Sequence, residues 1–322
     1  MKKLISLLLL LSLSLLCLFS CGDAPADEAT SIRVGYMSGP TGMGMAKLIH
    51  DNGGVTGNDT YSFKQYDNTA LAKADLLAGN IDVICLPTNE AAVYFNTEDD
   101  ESCVLAINTL NTLFLLSKGD SSIDSLSDLE GKTIYTCKNG TPMPIIKHIL
   151  SEAKINATVS YEIDGKTILT PKDLGAQIAA GTVDLAVAPE PIVTSSMLQN
   201  SDYSIALDLG DEWIKQSSYG IAMGCIVANK NFVQTNKNLT AKFLDEYKSS
   251  IDFISDSANI DNAAKYIVEC GIMAKEPAAK KALTNLGDAI TFVDGVSMKN
   301  TLEAFYKALG VTLPDEAFYY EK

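Results

Sequence analysis

Hydrophobic and polar residues follow first a strand-like and then a helix-like pattern near the start of the chain. Ile32–Met37 is mostly apolar and β-branched, which predicts a buried strand. Ser38–Gly42 contains two glycines and a proline, which predicts a tight loop, and a helical pattern follows from Met43 to Ile49. A strand, a glycine-rich loop and a helix in this order direct unpaired backbone N–H groups beyond the strand end. The pattern predicts a ligand with acceptor atoms there, although a tight turn that binds nothing has the same pattern.

A second copy of this arrangement lies in residues 131–150, which again read as a strand, a Gly/Pro loop and a helix. Thr141 is a candidate N-cap, and Pro142 suits the first helical position. Downstream of each copy, at 78–87 and 180–189, Ala-Gly-x-(Ile/Val)-Asp precedes a short apolar strand and a proline. Two α/β units in the same order predict two similar lobes whose strand ends face each other across a cleft.

Two longer apolar segments predict strands that cross between these lobes. Val104–Ser117 is rich in apolar and β-branched residues, and we expect it to cross near Leu115–Lys118. Tyr219–Asn229 has the same character and would be the return crossing. Lobes joined by only two crossings share a small interface, so we expect hinges near Leu115–Lys118 and Gly220–Gly224.

The two crossings make the first lobe discontinuous. Residues 31–115 and 225–322 form lobe I, and residues 116–224 form lobe II, which is inserted in it. Further helices are predicted at Thr69–Leu77, at Thr88–Phe95 and from Thr170 to Gly181. Six apolar residues at helical spacing predict one long amphipathic helix after the return crossing: Leu239, Phe243, Leu244, Tyr247, Ile251 and Ile254.

The N-terminus carries an export signal. Two lysines precede the leucine-rich run Leu4–Phe19, which is slightly short for a bilayer span. The following residues resemble a bacterial lipobox, in which Cys21 is acylated (palmitate among its fatty acids) and becomes the mature N-terminus. Residues 1–20 are then a signal peptide, and 21–30 are a flexible, lipidated tether. Ordinary signal-peptidase cleavage and an uncleaved anchor are the alternatives.

Charge and residue chemistry exclude several classes of function. Without the two leader lysines, 23 basic residues remain against 40 acidic ones, so nucleic acid is a poor partner. The only histidines, His50 and His148, each lie about two helical turns beyond their loop, away from the proposed cleft. No Ser/His/Asp arrangement, phosphate loop or metal-ligand cluster occurs. We therefore expect no catalytic site, no cofactor and no metal, and we expect a monomer.

Five cysteines follow Cys21, without a Cys-x-x-Cys motif, and we interpret them as small buried hydrophobic residues. They are Cys85, Cys103, Cys137, Cys225 and Cys270.

The order of these motifs resembles one known family. The chain is similar to the type II periplasmic substrate-binding proteins of ABC importers, in the branch that binds sulfonates, nitrate, taurine and thiamine precursors. The resemblance rests on Gly35–Ile49, Leu77–Pro87, Leu126–Ile155, Ala179–Val193 and Val227–Ile254. It implies a two-lobed α/β fold that closes on its ligand by hinge motion, on the extracytoplasmic face of the bacterial cell membrane. It also implies a permease and an ATPase as partners.

Two other classes of function stay open. The same resemblance extends to a pyrimidine synthase of thiamine biosynthesis, which is cytosolic and needs His and Cys in its site. The export signal and the remote histidines argue against such an enzyme. A sensor lipoprotein without transport is the other alternative.

Residue types near the predicted strand ends suggest a ligand. Arg33 is the only arginine and lies at the wrong end of its strand, which disfavours a bidentate clamp on an anion. Aromatic residues together with Glu190 suit a flat nitrogen heterocycle, such as a thiamine-type pyrimidine or a related vitamin precursor. A sulfonate, nitrate or another small anion is the alternative. The predicted ligand-binding residues are Tyr36, Ser38, Gly39, Thr41, Gly42, Met43, Thr88, Asn89, Lys138, Asn139, Gly140, Thr141, Glu190, Trp213 and Tyr219.

Overall fold

The computed structural model describes residues 29–97, 101–119 and 122–321. Its strands are β1 (Ile32–Met37), β2 (Tyr61–Tyr66), β3 (Val83–Pro87), β4 (Ser102–Leu110), β5 (Leu113–Lys118), β6 (Thr133–Tyr135), β7 (Thr158–Ser160), β8 (Glu162–Ile163), β9 (Lys166–Thr167), β10 (Leu185–Pro189), β11 (Tyr203–Asp208), β12 (Ala222–Asn229) and β13 (Ile290–Val293).

Its helices are α1 (Pro40–Met43), α2 (Ala46–Asp51), α3 (Thr69–Leu77), α4 (Thr88–Thr97), α5 (Pro142–Ala153), α6 (Pro171–Ala180), α7 (Ile192–Gln199), α8 (Leu209–Ile214), α9 (Lys230–Thr235), α10 (Lys237–Ser255), α11 (Ile260–Glu269), α12 (Glu276–Leu286) and α13 (Gly295–Leu309). Short 3₁₀ turns lie at Gly54–Thr56, Leu126–Leu129, Ser257–Asn259 and Glu316–Phe318.

The strands form two main sheets, one in each lobe. The first sheet has the order β13-β4-β12-β3-β1-β2, and the second has the order β11-β5-β10-β6-β7. In the first sheet, β1 is parallel to β2 and β3, while β12 is antiparallel to β3 and β4. In the second sheet, β6 is parallel to β7 and β10, while β5 is antiparallel to β10 and β11. The predicted two-lobed α/β fold is confirmed.

The two sheets repeat one topology. Each has an edge strand, a first strand followed by a glycine-containing loop, a third strand ending in proline, and then an antiparallel strand. That antiparallel strand is β12 in the first sheet and β5 in the second, so each follows the chain's passage from the other lobe. This agrees with the internal repeat read from the sequence. Because strand ends with the same polarity meet at one edge of a sheet, the repeat directs both loops towards the same space.

The first crossing lies earlier than the sequence suggests. The apolar segment from Val104 onwards is two strands, because Asn111 has a φ of 49° and interrupts the extended backbone between β4 and β5. Asn111 also joins the two crossings: its N–H donates to Ile221 O (3.0 Å), and its Oδ1 accepts from Ile221 N (2.8 Å). A crossing near Leu115–Lys118 is therefore wrong, since those residues are paired on both sides within the second sheet.

The boundaries of the lobes also differ from the predicted ones. Residues 113–115 lie in β5 and thus in the second sheet, whereas residues 222–224 lie in β12 and thus in the first sheet. The sequence could not locate these points because both strands at each crossing are buried, so the apolar pattern continues through the junction.

Local sequence signals located the helices well. α3 has the predicted bounds, and α6 begins after Thr170, whose side chain and that of Asp173 form a capping box. α6 ends at Gly181, which has the left-handed conformation that favours glycine (φ 71°). All six residues of the predicted apolar face of α10 are buried. Among the described residues, no helix is long and apolar enough to cross a membrane.

The hydrophobic core continues from one lobe to the other. One buried cluster contains Ile84 and Ile107 of the first sheet together with Leu115 and Val187 of the second. Helix α13 covers this junction, since it contacts β4 and β12 of lobe I and α5 of lobe II. The lobes therefore share more than two chain crossings, contrary to the small interface expected from the sequence.

The five cysteines after the leader are free and buried, which confirms their interpretation as small hydrophobic residues. Burial raises the pKa of the Cys85 and Cys270 thiols to about 12, so neither is poised as a nucleophile.

Candidate ligand-binding cleft

A cleft of about 500 Å³ lies between the lobes, at the carboxyl ends of the parallel strands. Both lobes contribute to it, as expected for two sheets whose strand ends face each other. Its lining residues are Ser38, Pro40, Thr41, Asp67, Pro87, Asn89, Glu90, Thr109, Thr112, Asn139, Gly140, Thr141, Pro142, Thr170, Pro171, Pro189, Glu190 and Met223.

The first glycine-rich loop forms part of this lining through Ser38 and Thr41. Gly39 has a φ of 89°, which is the conformation that favours glycine, and precedes α1. A Cβ at Gly42 would fall on Met37 O, so Gly42 permits the loop to fold back on its own strand. Buried Asn108 holds the loop from behind, because its Nδ2 donates to Thr41 O (3.0 Å).

The second loop contributes Asn139, Gly140 and Thr141 from the opposite lobe. The N–H group of Asn139 donates to Leu169 O (3.0 Å), which fixes the loop against the segment that leads into α6. Thr141 is at the N-cap position of α5 and Pro142 is at its first position, as the sequence predicts. The Thr141 side chain makes no capping hydrogen bond, although the residue is 8% exposed.

Glu190 lies in the cleft wall but is engaged by protein groups. It is 2% exposed, and its Oε1 accepts from Thr194 Oγ1 (2.9 Å) and Asn285 Nδ2 (2.7 Å). Its Oε2 accepts from the backbone N–H of Thr194 (3.2 Å) in the first turn of α7. Burial raises the pKa of Glu190 above its ordinary value. Because Asn285 belongs to α12 of lobe I, the carboxylate also connects the two lobes.

Several predicted site residues lie behind the first loop, out of the cleft. Tyr36 is 2% exposed, and its hydroxyl donates to Cys270 O (3.0 Å). Gly42 and Met43 are buried in the turn of α1. Thr88 is fully buried and donates its hydroxyl to Ala222 O. Gly39 is buried beside Pro191 and is absent from the lining. These residues form the packed interior behind the loop, because side chains within a strand and the turn that follows it point into the core.

Three other predicted residues are not among those that line the cleft. Trp213 is 2% exposed and packs in the interlobe core, 4.9 Å from His148 and 6.1 Å from Phe305 between ring centroids. Tyr219 is exposed on the segment before the return crossing. Lys138 is exposed and lies over the ring of Tyr161 (5.6 Å). The expected aromatic wall is therefore absent from this lining.

The sequence missed other lining residues. Asp67 directly follows β2, and Glu90 is in the first turn of α4 after β3. The rule that ligand-facing residues follow strand ends could have identified both. Thr109 and Thr112 could not be found this way, because they lie inside what reads as one continuous apolar strand.

The charged lining residues are all acidic: Asp67, Glu90 and Glu190. The lining contains no lysine, arginine, histidine or aromatic residue. No group of three or more His, Cys, Asp or Glu residues in the described part of the chain could hold a metal ion.

Two sheets of one repeated topology, with a cleft at their facing strand ends, define the two-lobed fold of the type II periplasmic binding proteins. Residues 101–258 match the family model described as NMT1/THI5 like, in agreement with the branch that the sequence resembles. No curated protein matches the chain in a sequence search.

Solved structures share the fold over nearly the whole chain. An ABC transporter structure from Parabacteroides distasonis is 22% identical with a TM-score of 0.72, covering 91% of this chain and 100% of that one. The periplasmic aliphatic sulphonate binding protein SsuA from Escherichia coli is 16% identical, with a TM-score of 0.66 and coverage of 90% and 96%. The periplasmic nitrate-binding protein NrtA from Synechocystis PCC 6803 is 11% identical, with a TM-score of 0.61 and coverage of 87% and 81%. None of these three is described as an enzyme.

Proposed function

We propose that this protein is the substrate-binding component of an ABC importer, which captures a small molecule in the interlobe cleft and delivers it to a permease and its ATPase. The cleft of about 500 Å³ carries this proposal, because loops from two topologically equivalent lobes line it together. A cavity of this size suits a small organic molecule. Binding energy from both lobes would favour the closed arrangement.

The positions of the histidines favour binding over catalysis. His50 lies at the exposed end of α2, where it stacks on Tyr266 (3.7 Å between ring centroids) and lies 3.1 Å from Glu269 Oε2. His148 packs against Trp213. Neither histidine lines the cleft, so a synthase that consumes its own histidine there has no support.

Anchoring is the second part of the proposal. Cys21 and the tether up to residue 30 would hold the protein on the extracytoplasmic face of the membrane, although positions 1–28 lie outside the described residues. In fractionated cells, we expect Cys21→Ala to move the protein from the membrane to the soluble fraction. Retention of the variant in the membrane at unchanged mass would contradict acylation at Cys21.

The ligand is the third part. The prediction of a thiamine-type pyrimidine or vitamin precursor rests on Glu190 together with Tyr36, Trp213 and Tyr219, and of these four residues only Glu190 lines the cleft. A sulfonate or nitrate is favoured by the names of SsuA and NrtA, but the lining contains no cation that would pair with either anion. The chemistry of the lining residues therefore has to distinguish between classes of ligand.

Ligand retention and uptake test the binding function. We expect protein purified without refolding to release a small molecule on denaturation, detectable by mass spectrometry, and that compound to raise the melting temperature of the emptied protein. Deletion of the gene should abolish uptake of the same compound. If the compound binds but its uptake is unchanged, the protein is a sensor and the transport function is wrong.

A further inference from the structure

We propose that the cleft selects a small organic cation, with a protonated amine, quaternary ammonium or amidinium group on a compact apolar body. This inference rests on the proposed function, namely that the cleft holds the transported ligand.

The charges of the cleft have one sign. Asp67 and Glu90 line it, and no cationic group of the described residues lies within salt-bridge distance of either carboxylate. Glu90 is half-buried and accepts only a long hydrogen bond from Tyr94 (3.5 Å). Lys281 influences Glu190 electrostatically, but it is exposed on α12 and does not line the cleft. The charges of the lining therefore favour a cation, which would be paired, over an anion, which would be repelled.

Helix N-termini usually favour anions, but three of those that reach this cleft offer few free donors. The first and third residues of α5 are prolines, Pro142 and Pro144, which have no N–H group. α6 begins with Pro171, and the N–H group of its third residue donates to Thr170 Oγ1 (3.2 Å). The N–H group of the third residue of α7 donates to Glu190. At the N-termini of α5, α6 and α7, several of the backbone donors that could hold an oxyanion are therefore missing or already bonded.

Two threonine hydroxyl groups at the surface of the cleft have acceptor capacity for a ligand. Thr112 is 2% exposed and Thr141 is 8% exposed, and both residues line the cleft. Neither side-chain hydroxyl forms a hydrogen bond with any other described residue. Both hydroxyl groups reach the cleft and are free to form hydrogen bonds with a ligand that is held there. The N–H groups of an amine or amidinium would supply the donors.

The walls are apolar without being aromatic. They contain Met223 and five prolines: Pro40, Pro87, Pro142, Pro171 and Pro189. Proline rings present C–H surfaces and are rigid, so they form a preorganised contact for an aliphatic body. A cation with a compact hydrocarbon portion matches both the walls and the carboxylates.

Matched probes test the inference by calorimetry and thermal shift at neutral pH. n-Butylammonium, n-butanol and n-butyrate share one body and differ in charge, and choline is compared with its uncharged carbon analogue. Agmatine adds a longer cation that carries a guanidinium group, while methanesulfonate and nitrate add anions. We expect at least one cation to bind, its uncharged analogue to bind at least about tenfold more weakly, and the anions not to bind.

Either of two results would overturn the inference: an anion or uncharged analogue that binds as tightly as the best cation, or no binding by any cation of the set. Retention of a neutral or anionic compound in the same cleft would remove this inference and leave the binding function intact. By contrast, cation binding without any effect of gene deletion on uptake would remove the transport function and leave this inference intact.

Isosteric variants measure how much each carboxylate of the cleft contributes to cation binding. Glu90→Gln should weaken the best cation about tenfold, and Asp67→Asn about threefold, because Asp67 is exposed and screened by solvent. Glu152→Gln on α5 and Asp245→Asn on α10 are matched controls on exposed surface outside the cleft, and we expect less than a twofold change. Equal losses in cleft and control variants, or no loss in Glu90→Gln, would contradict the assignment.

Discussion

Threonine hydroxyl groups that lack a protein partner affect ligand binding in the cleft but stability in the core. Thr112 lines the cleft, whereas Thr240 is 1% exposed inside α10 with a hydroxyl that has no hydrogen-bond partner. We expect Thr112→Val to weaken ligand binding about tenfold with little change in stability, because the lost hydroxyl acts on the ligand. Thr240→Val should leave binding unchanged and raise the free energy of unfolding by about 1 kcal/mol.

Calorimetric titration and urea unfolding of both variants would measure these effects. A loss of binding in Thr240→Val as large as that in Thr112→Val would show that the hydroxyl of Thr112 has no direct role.

Glu190 should give stability a specific pH dependence. Burial raises its folded-state pKa, so the folded protein retains a proton that the unfolded chain has already lost. For a carboxyl group shifted upwards, the contribution to stability is greatest below the unfolded pKa, about 4.3, and is lost as the pH rises through the folded pKa. We expect the stability of the wild type minus that of Glu190→Gln to fall over this interval and then level off, as measured by urea unfolding at several pH values. A difference that rises with pH would mean that hydrogen bonds to the ionised form outweigh desolvation.

At the scale of elements, α7 and α12 meet beside the cleft and connect the lobes. Asn285 Nδ2 donates to Glu190 Oε1 (2.7 Å) and lies 3.1 Å from Thr194 Oγ1. We expect Asn285→Ala to lower the free energy of unfolding by about 1–3 kcal/mol, because a buried carboxylate loses a donor. We also expect a larger radius of gyration in small-angle scattering without ligand, since the contact favours the closed arrangement.

Thr284→Ala is the matched control for this contact. Thr284 is the neighbouring residue on the same helix, is exposed, and bonds only to Lys280 O within its own helix. It should change neither stability nor the scattering profile by a measurable amount. If Asn285→Ala and Thr284→Ala behave alike, the contact between α7 and α12 does not hold the lobes together.

At the scale of the whole molecule, the continuous core should make the lobes unfold together. Trp213 is the only tryptophan and is buried between His148 and Phe305, at the junction that α13 covers. We expect its fluorescence transition to coincide with the loss of helical circular dichroism in urea, because both lobes share one hydrophobic cluster. Two separated transitions would show that the lobes are independent and that the junction contributes little.

The shared core also changes the expected motion. We therefore expect the cleft to open around the junction of Trp213 and Phe305, near the paired crossings at Asn111 and Ile221, and not inside β5. Rigid-body movement about such a packed region is compatible with hinge closure. The hinge itself stays a prediction, which small-angle scattering with and without a bound cation would test.

The sequence by itself determined the two α/β units, their order, most helices and the loops after the first strands. These features depend on local physics: the period of apolar residues, proline and glycine at helix ends, and glycine where the chain turns sharply. That is why α3, α6 and α10 were predicted closely, and why Ser38, Thr41, Asn139 and Thr141 were correctly predicted to face one space.

Only the tertiary structure decided which polar and aromatic residues face that space. Tyr36 and Trp213 have the chemistry of ligand contacts, but strand direction and helix packing turn them into the core. Thr112 reads as part of an apolar strand, yet the turn at Asn111 brings it into the cleft wall. Side-chain direction at a chain crossing depends on contacts between residues distant in sequence, such as Asn111 with Ile221, and no local pattern contains that information.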